Sequence, residues 1–362
     1  MNRPLNFCAG PAVLPESVLE IAAAEMLDWH GTGMSFMEMS HRSPEVIGVA
    51  EEAEACLRRL LGLGDEFAVV FVQGGASTQF AAVPLNLAGN GGSLCYLNTG
   101  QWSLKAMAEA RRYGSVTELA SATAEVPRAI PPQSSWSSPQ VPDDAAYLHF
   151  TPNETIDGIE FHWLPETSAP LVADMSSTLL SRPIPVDQFD MIYAGAQKNI
   201  GPAGLTLLIV RRELFGRSLD TCPAMLNWET CANAKSMLNT PPTYSLYLAG
   251  LVFAWLEGQG GLAAMGAANE LKAATLYAAI DGSSFYQNPV APADRSWMNI
   301  PFTLPDANLD SRFLELAEAA GLLNLKGHRA VGGMRASLYN AIPLRAVETL
   351  VEFMQDFERH HA

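Results

Sequence analysis

The stretch DMIYAGAQKNIGPAGLTLLIV, residues 190–210, decides how this chain is read. Two apolar runs, DMIYA at 190–194 and LTLLIV at 205–210, flank a turn of small residues that holds one lysine, Lys198. Apolar runs of this length, without polar alternation, predict strands covered on both faces, the habit of parallel sheets packed between helices. A cation just past the C-terminal end of such a strand lies where open α/β sheets bind their ligands. An exposed loop lysine would occupy the same place in the sequence. Ala194, Gly195, Ala196 and Gly201 argue against that reading, because they leave room for something bulky against the backbone.

Working outward, further strands are expected at 67–72, 93–97, 145–150 and 170–174, and helices at 15–29, 43–61, 77–88, 101–113 and 244–258. Strands alternating with helices predict an α/β unit with a mostly parallel mixed sheet between helical layers. Near residue 260 the pattern changes. A glycine-broken helical run, GQGGLAAMGAANELKAATLYAAI (258–280), is followed by WMNIPFTL, a helix at 308–320, MRASLY and a closing helix from 343. This predicts a smaller α+β domain, so the expected division is a large domain at 16–262 and a small one made of 1–15 and 263–362. The segment PRAIPPQSSWSSPQVP (127–142) reads as a long surface loop within the large domain.

Composition narrows the function classes. The 362 residues carry a formal net charge of −16 with pI near 4.8, which speaks against binding a nucleic-acid backbone. Any anion must therefore be held by local positive charge. Five cysteines without C-x-x-C spacing suggest neither a disulfide frame nor a metal site. No run of about 18 apolar residues occurs, and the first residues lack a signal-peptide core, so no membrane is expected and the cytoplasm is the expected location.

Two other stretches match the lysine. In VQGGASTQF (72–80) a strand ends, two glycines permit a tight turn, and a helix begins with Ser77 and Thr78 in its first turn. Free N–H groups and hydroxyls at a helix N-terminus suit a phosphate, although an ordinary serine-capped βα turn would look alike. It is not a Walker A loop, since no Gly-Lys-Ser/Thr follows, and GTGMSF (31–36) lacks the third glycine of a dinucleotide fingerprint. In VADMSST (172–178), Asp174 closes an apolar strand, where a carboxylate is costly unless something positive meets it; a capping role is the plain alternative. Phosphate turn, carboxylate and lysine, in this order, fit pyridoxal 5′-phosphate: Asp174 on the ring nitrogen, Lys198 in a Schiff base, and Trp102 stacked on the ring or merely in the core. Arg42, Arg329 and Arg335, with His41 and His328, concentrate positive charge suited to carboxylate and phosphate groups, although any one of them could be a scattered surface cation.

The motifs MSHR (39–42), HFTPNETIDGIEF (149–161), ADMSSTLLSRPI (173–184), YAGAQKNIGPAG (193–204), NTPPTYSLYLAGLVFAWL (239–256) and KGHRAVGGMRASLYNA (326–341) strongly resemble the phosphoserine aminotransferase family. The likeness spans nearly the whole chain. It implies a class V aminotransferase of the fold type I pyridoxal-phosphate architecture, working as a homodimer with shared active sites. The resemblance implies that Lys198 is the Schiff-base lysine and Asp174 the ring-nitrogen partner, with Trp102 stacking and Thr155 donating to the cofactor. It implies further that Ala76, Ser77 and Gln197 bind the phosphate, together with Asn239 and Thr240 of the neighbouring subunit. Arg335 matches the α-carboxylate anchor, and Arg42, His41, His328 and Arg329 the site for the substrate's distal anion. The implied reaction is ping-pong transfer between L-glutamate and 3-phosphohydroxypyruvate, giving O-phospho-L-serine and 2-oxoglutarate, with phosphohydroxythreonine of pyridoxine biosynthesis a further substrate.

Two departures from some family members stand out: Ser77 where they carry arginine, and NFCAGP where they carry NFSSGP, so that Ala9 replaces a serine. They predict an altered grip on the anion. Competing readings are another class V reaction, such as alanine–glyoxylate transamination or cysteine desulfuration, and a non-catalytic anion-binding module. Desulfuration needs a mobile cysteine, which no convincing loop supplies. A small-substrate transaminase has no use for His328 and Arg329 as a distal clamp.

Overall fold

A computed structural model describes residues 3–136 and 141–362. Its centre is a seven-stranded sheet made of Phe67–Gln73 (β1), Leu94–Asn98 (β2), Val116–Ser121 (β3), Tyr147–Phe150 (β4), Leu171–Asp174 (β5), Met191–Gly195 (β6) and Leu205–Arg211 (β7). The spatial order is β1-β7-β6-β5-β4-β2-β3. All pairings are parallel except the two made by β7, which runs antiparallel between β1 and β6. The mixed, mostly parallel sheet expected from the apolar runs is present, and β3 is an addition that the sequence reading missed. Its residues VTELAS are half-buried to exposed, so it lacks the continuous apolar signature.

Alternate residues of each strand enter two separate cores. Phe67, Val69, Phe71, Leu148, Phe150, Ile192 and Leu207 point to the side covered by helices Pro44–Leu61 (α2) and Thr243–Gly258 (α6), numbered here after Glu16–Ala24 (α1), Gly75–Leu87 (α3), Gln101–Ala110 (α4) and Trp228–Asn233 (α5). Val70, Tyr96, Tyr147, Val172, Tyr193 and Leu208 point to the side covered by α3 and α4. Helix α2 shows why its boundaries are sharp: Ser43 caps it, Pro44 opens it, and Gly62 closes it in the left-handed conformation. Helix α1 stops at Ala24, short of the predicted 29, and the chain makes only a short 3₁₀ turn at Trp29–Gly31.

After α6 the chain bends by 83° into Gly261–Asp281 (α7), the break falling at the glycines that the sequence offered. No single helix among the described residues is long and apolar enough to cross a membrane. Leu262 and Met265 of α7 belong to the core of the large sheet, whereas Ala273, Leu276 and Ile280 belong to another. That second core is built on Asn299–Phe302 (β8) and Met334–Ser337 (β9), which pair antiparallel, with Asp310–Ala319 (α8) and Leu344–His361 (α9). Leu5–Asn6 pairs with Leu322–Leu323, and Phe7 is buried in the same core, so the N-terminal segment packs with the C-terminal elements.

Residues 127–136 and 141–142 are mostly irregular and at least partly exposed, as expected of a loop, but three of them are buried, and 137–140 lie outside the described residues. So do residues 1 and 2 of the expected small domain. Trp136 is fully buried and stacks on Trp163 at 5.9 Å, with Ile130 and Val141 also buried. Polar composition hid an aromatic anchor.

Candidate active site

The C-terminal ends of β5 and β6 lie side by side, with Asp174 opposite Tyr193. Across β7, Gln73 pairs with Leu205 and Gly195 with Thr206, so β1 and β6 end at the same level. The turn Gly74–Ser77 and the turn carrying Lys198 therefore flank the start of β7.

Lys198 is buried, and its Nζ donates to Thr155 Oγ1 at 2.5 Å. Burial pushes its amine down to about 8; Asp174 and Glu154 oppose that shift, and Arg335 adds to it. Asp174 is also buried. Its Oδ1 accepts from Ser176 N at 3.0 Å and from Ser176 Oγ at 2.6 Å, and burial raises its pKa against these donors, the charge of Lys198 and the nearby Tyr193 hydroxyl. Tyr193 in turn bonds His149 Nε2 at 2.9 Å. Burial drives His149 down to about 3, so this imidazole is neutral.

Two helix N-termini open toward this region and differ in one decisive respect. Helix α3 begins after Gly74 in the left-handed conformation and has no acidic residue in its first turn. Its N–H groups at Ala76 and Ser77 remain free for an anion. Thr78 corrects one expectation: its hydroxyl donates to Gly74 O at 2.8 Å, so it is spent within the turn. Helix α4, by contrast, is plugged by carboxylates. Gln101 N donates to Asp157 Oδ2 at 3.1 Å, Trp102 N to Glu154 Oε2 at 2.9 Å and Ser103 N to Glu154 Oε1 at 2.8 Å. Ser103 Oγ adds a fourth bond, 2.7 Å to Glu154 Oε1. Burying Glu154 raises its carboxyl to about 7 even with these donors. Charge-assisted bonds of about 1.5–3 kcal/mol each offset a desolvation cost of several kcal/mol. Of the two helices, only α3 can receive a phosphate.

Trp102 stands half-buried at the start of α4, its ring centroid 5.9 Å from Lys198 Nζ. Lys105 Nζ lies 4.2 Å from the same centroid. Gln197 is half-buried beside Gly195, where a Cβ would come within 2.5 Å of its Oε1, and its carbonyl accepts from Ala12 N at 2.8 Å. The NFCAGP segment thus lies against the lysine turn, and Tyr339 donates to Ala9 O at 2.9 Å.

Arg335, on β9, donates to Thr155 O at 3.2 Å, and burial lowers its pKa. His328 and Arg329 lie in the loop before it. Burial, Arg335, Lys105 and Arg329 push the His328 imidazole below its usual value, which places these cations in one field. His41 Nδ1 bonds Thr240 Oγ1 at 3.0 Å, and Gln73 Nε2 donates to Asn239 Oδ1 at 3.3 Å and Thr240 O at 3.0 Å. Of the expected five-member anion cluster, His328, Arg329 and Arg335 act on one another, and His41 bonds Thr240.

The sequence reading missed Glu154, Asp157 and Lys105. Glu154 and Asp157 sit in NETIDG, just past the apolar strand β4, where a carboxylate is as costly as at Asp174.

These residues fit pyridoxal 5′-phosphate. The open N-terminus of α3 suits the phosphate, the buried Asp174 a protonated ring nitrogen, and the Lys198 amine the aldehyde. Trp102 Nε1 and Arg335 Nε are buried without protein partners. Among the described residues, no group of three His, Cys, Asp or Glu side chains could hold a metal ion.

The family model described as aminotransferase class-V matches residues 5–350. The phosphoserine aminotransferase of Pseudomonas aeruginosa is 57% identical over 361 residues, covering 99% of each chain. A solved phosphoserine aminotransferase from Bacillus circulans subsp. alkalophilus superposes with a TM-score of 0.97 at 46% identity, covering 100% of both chains. The pyridoxal-phosphate-bound phosphoserine aminotransferase of Trichomonas vaginalis gives a TM-score of 0.94 at 42% identity over 98% of this chain and 100% of that one. With its sheet, its buried lysine–aspartate pair and these relatives together, the chain belongs to the phosphoserine aminotransferase family of the class V aminotransferases.

Proposed function

We propose that this pyridoxal-phosphate-dependent transaminase moves the amino group between L-glutamate and 3-phosphohydroxypyruvate, giving O-phospho-L-serine and 2-oxoglutarate. The observation that carries the reading is the buried Lys198, whose amine burial lowers to about 8 and which donates to Thr155, with Arg335 bonded to the same threonine.

When bound, the cofactor supplies an electron sink for the bond broken at the substrate's α-carbon. The chain's own residues do the rest. Lys198, with its pKa lowered to about 8, can carry a proton away from the substrate and return it. Asp174, braced by Ser176, holds the proton on the ring nitrogen. Trp102 would stack on the ring, and Thr155, which accepts from Lys198, would also offer its hydroxyl to the cofactor. Ala76, Ser77 and Gln197 hold the phosphate, with Asn239 and Thr240 reaching it from the second copy of a homodimer. Arg335 anchors the α-carboxylate, so the α C–H bond is oriented rather than free. His328 and Arg329, joined by His41 and Arg42, receive the distal anion, whether glutamate's carboxylate or the substrate phosphate. In this reading residues 16–262 form the large domain and residues 1–15 with 263–362 the small one, in a cytoplasmic enzyme.

A substrate panel with glutamate as donor tests the proposal: phosphohydroxypyruvate, hydroxypyruvate, glyoxylate, pyruvate and a phosphorylated hydroxythreonine analogue. A clear preference for the phosphorylated acceptors is expected. Equal or better turnover of glyoxylate or pyruvate would overturn the assignment in favour of a small-substrate transaminase.

A further inference from the structure

The turn Asn153–Glu160, between β4 and β5, touches several parts of the site. Asn153 bonds Ser177 and Asn299, each at 2.8 Å, and Thr155 bonds Lys198 and Arg335. Glu154 has another target. Its side chain has no exposed surface, and both oxygens close on the first turn of α4, whose second residue is Trp102. Asp157 takes the N–H of the first residue and is itself paired with Arg128. The approach is so close that a Cβ on Gly100 would fall 2.5 Å from Asp157 Oδ2 and 2.7 Å from Glu154 Cδ.

A helix capped by its own serine or aspartate would be held only to its own chain segment. Here the capping group comes from a turn some fifty residues on, the same turn that contacts the lysine. The start of α4, and with it the Trp102 ring, is thereby tied to the turn that contacts Lys198 as well as to its own segment, where Ser103 Oγ accepts from Thr99 N at 2.9 Å and Gly100 N at 3.0 Å and lies 3.3 Å from Asn98 Oδ1.

We propose that Glu154 is a positioning residue: its carboxylate fixes the first turn of α4 so that the Trp102 ring is held against the cofactor. This rests on the reading of Trp102 as the residue that covers the cofactor ring, and the test separates the two. Asn153, Thr155 and Asp157 share the turn, but none of them reaches the N–H of Trp102. Glutamine at 154 would set an NH₂ against one of the backbone N–H groups, loosening the cap while keeping the volume.

The experiment measures pyridoxal-phosphate affinity and the visible circular dichroism of the bound cofactor in wild type, Glu154→Gln, Trp102→Ala and the double variant. Trp102→Ala is expected to weaken cofactor binding roughly tenfold, the scale of one aromatic contact. Glu154→Gln should weaken it several-fold and reduce the dichroic band, and the double variant should bind no worse than Trp102→Ala alone. Additive losses, or an unchanged band in Glu154→Gln, would overturn the proposal while leaving Trp102 in place. No loss in Trp102→Ala would overturn the underlying reading of Trp102 instead. Should Glu154→Gln not fold, Gly100→Ala displaces both carboxylates from the opposite side and is expected to give the same reduced band; a wild-type band in that variant would count against Glu154.

Discussion

Thr155 accepts a 2.5 Å hydrogen bond from Lys198 Nζ through its hydroxyl, and its carbonyl accepts from Arg335 at 3.2 Å. One residue therefore holds the amine and the guanidinium at a set spacing. Thr155→Val keeps the carbonyl and the shape but deletes the hydroxyl. A bond to a charged group is worth about 1.5–3 kcal/mol, so kcat/KM is expected to fall roughly 10- to 100-fold. Steady-state kinetics with glutamate check this, and an unchanged value would remove the hydroxyl from the reaction.

Lys198 also predicts how stability depends on pH in the cofactor-free chain. Its folded pKa, about 8, lies below the ordinary lysine value of 10.5. Between those values the unfolded chain holds a proton that the folded chain does not, so stability rises with pH across that window. Lys272 is shifted in the same direction, to about 7, so the wild-type curve alone does not isolate Lys198. The difference between wild type and Lys198→Met does. The rise in unfolding free energy from pH 8 to 10.5 should shrink in the variant, by an amount on the order of a few kcal/mol at about 1.4 kcal/mol per pKa unit.

Lys272 donates to the carbonyls of Leu338, Tyr339 and Ile342 at 3.0, 2.9 and 3.0 Å, just beyond the strand that carries Arg335. Lys272→Met leaves three buried carbonyls without this donor, each costing about 1–3 kcal/mol, against the relief of no longer burying a cation. A loss of about 2–5 kcal/mol is expected, read as a lower Tm or denaturant midpoint. A variant as stable as wild type would show that the turn finds other donors.

Arg329→Ala is expected to lower the preference for phosphohydroxypyruvate over hydroxypyruvate roughly 10-fold or more, since bonds between arginine and a phosphate are charge-assisted. The ratio of the two kcat/KM values decides. A ratio equal to wild type would place the phosphate away from this loop.

His41 bonds Thr240, Gln73 bonds Asn239 and Thr240, and Arg42 follows His41 in the chain. If they serve the second copy's site, co-expressed Lys198→Ala and Arg42→Ala chains should recover activity that neither has alone. One subunit of the mixed dimer then carries one intact site. No recovery would assign Arg42 to its own chain's site.

Much of this arrangement could be read before any coordinates. Strands β1, β6 and β7 are long apolar runs, and β5 ends in a carboxylate that its surroundings do not excuse. The direction of β7 was not legible, because an antiparallel strand buried on both faces has the same composition as a parallel one. Nor was the burial of Trp136, enclosed in a polar, proline-rich segment. Glu154 could have been found, since the cost of its burial is written in its position, but its partners are backbone N–H groups and those leave no mark on a sequence.

Strand β7 has a consequence for the life of the chain. It is the wedge between β1 and β6, so the phosphate turn and the lysine turn reach their common level only once Leu205–Arg211 has been inserted between them. A nascent chain that has just emerged past Lys198 already contains the amine, the aspartate and the phosphate turn, yet has no frame to hold them in register.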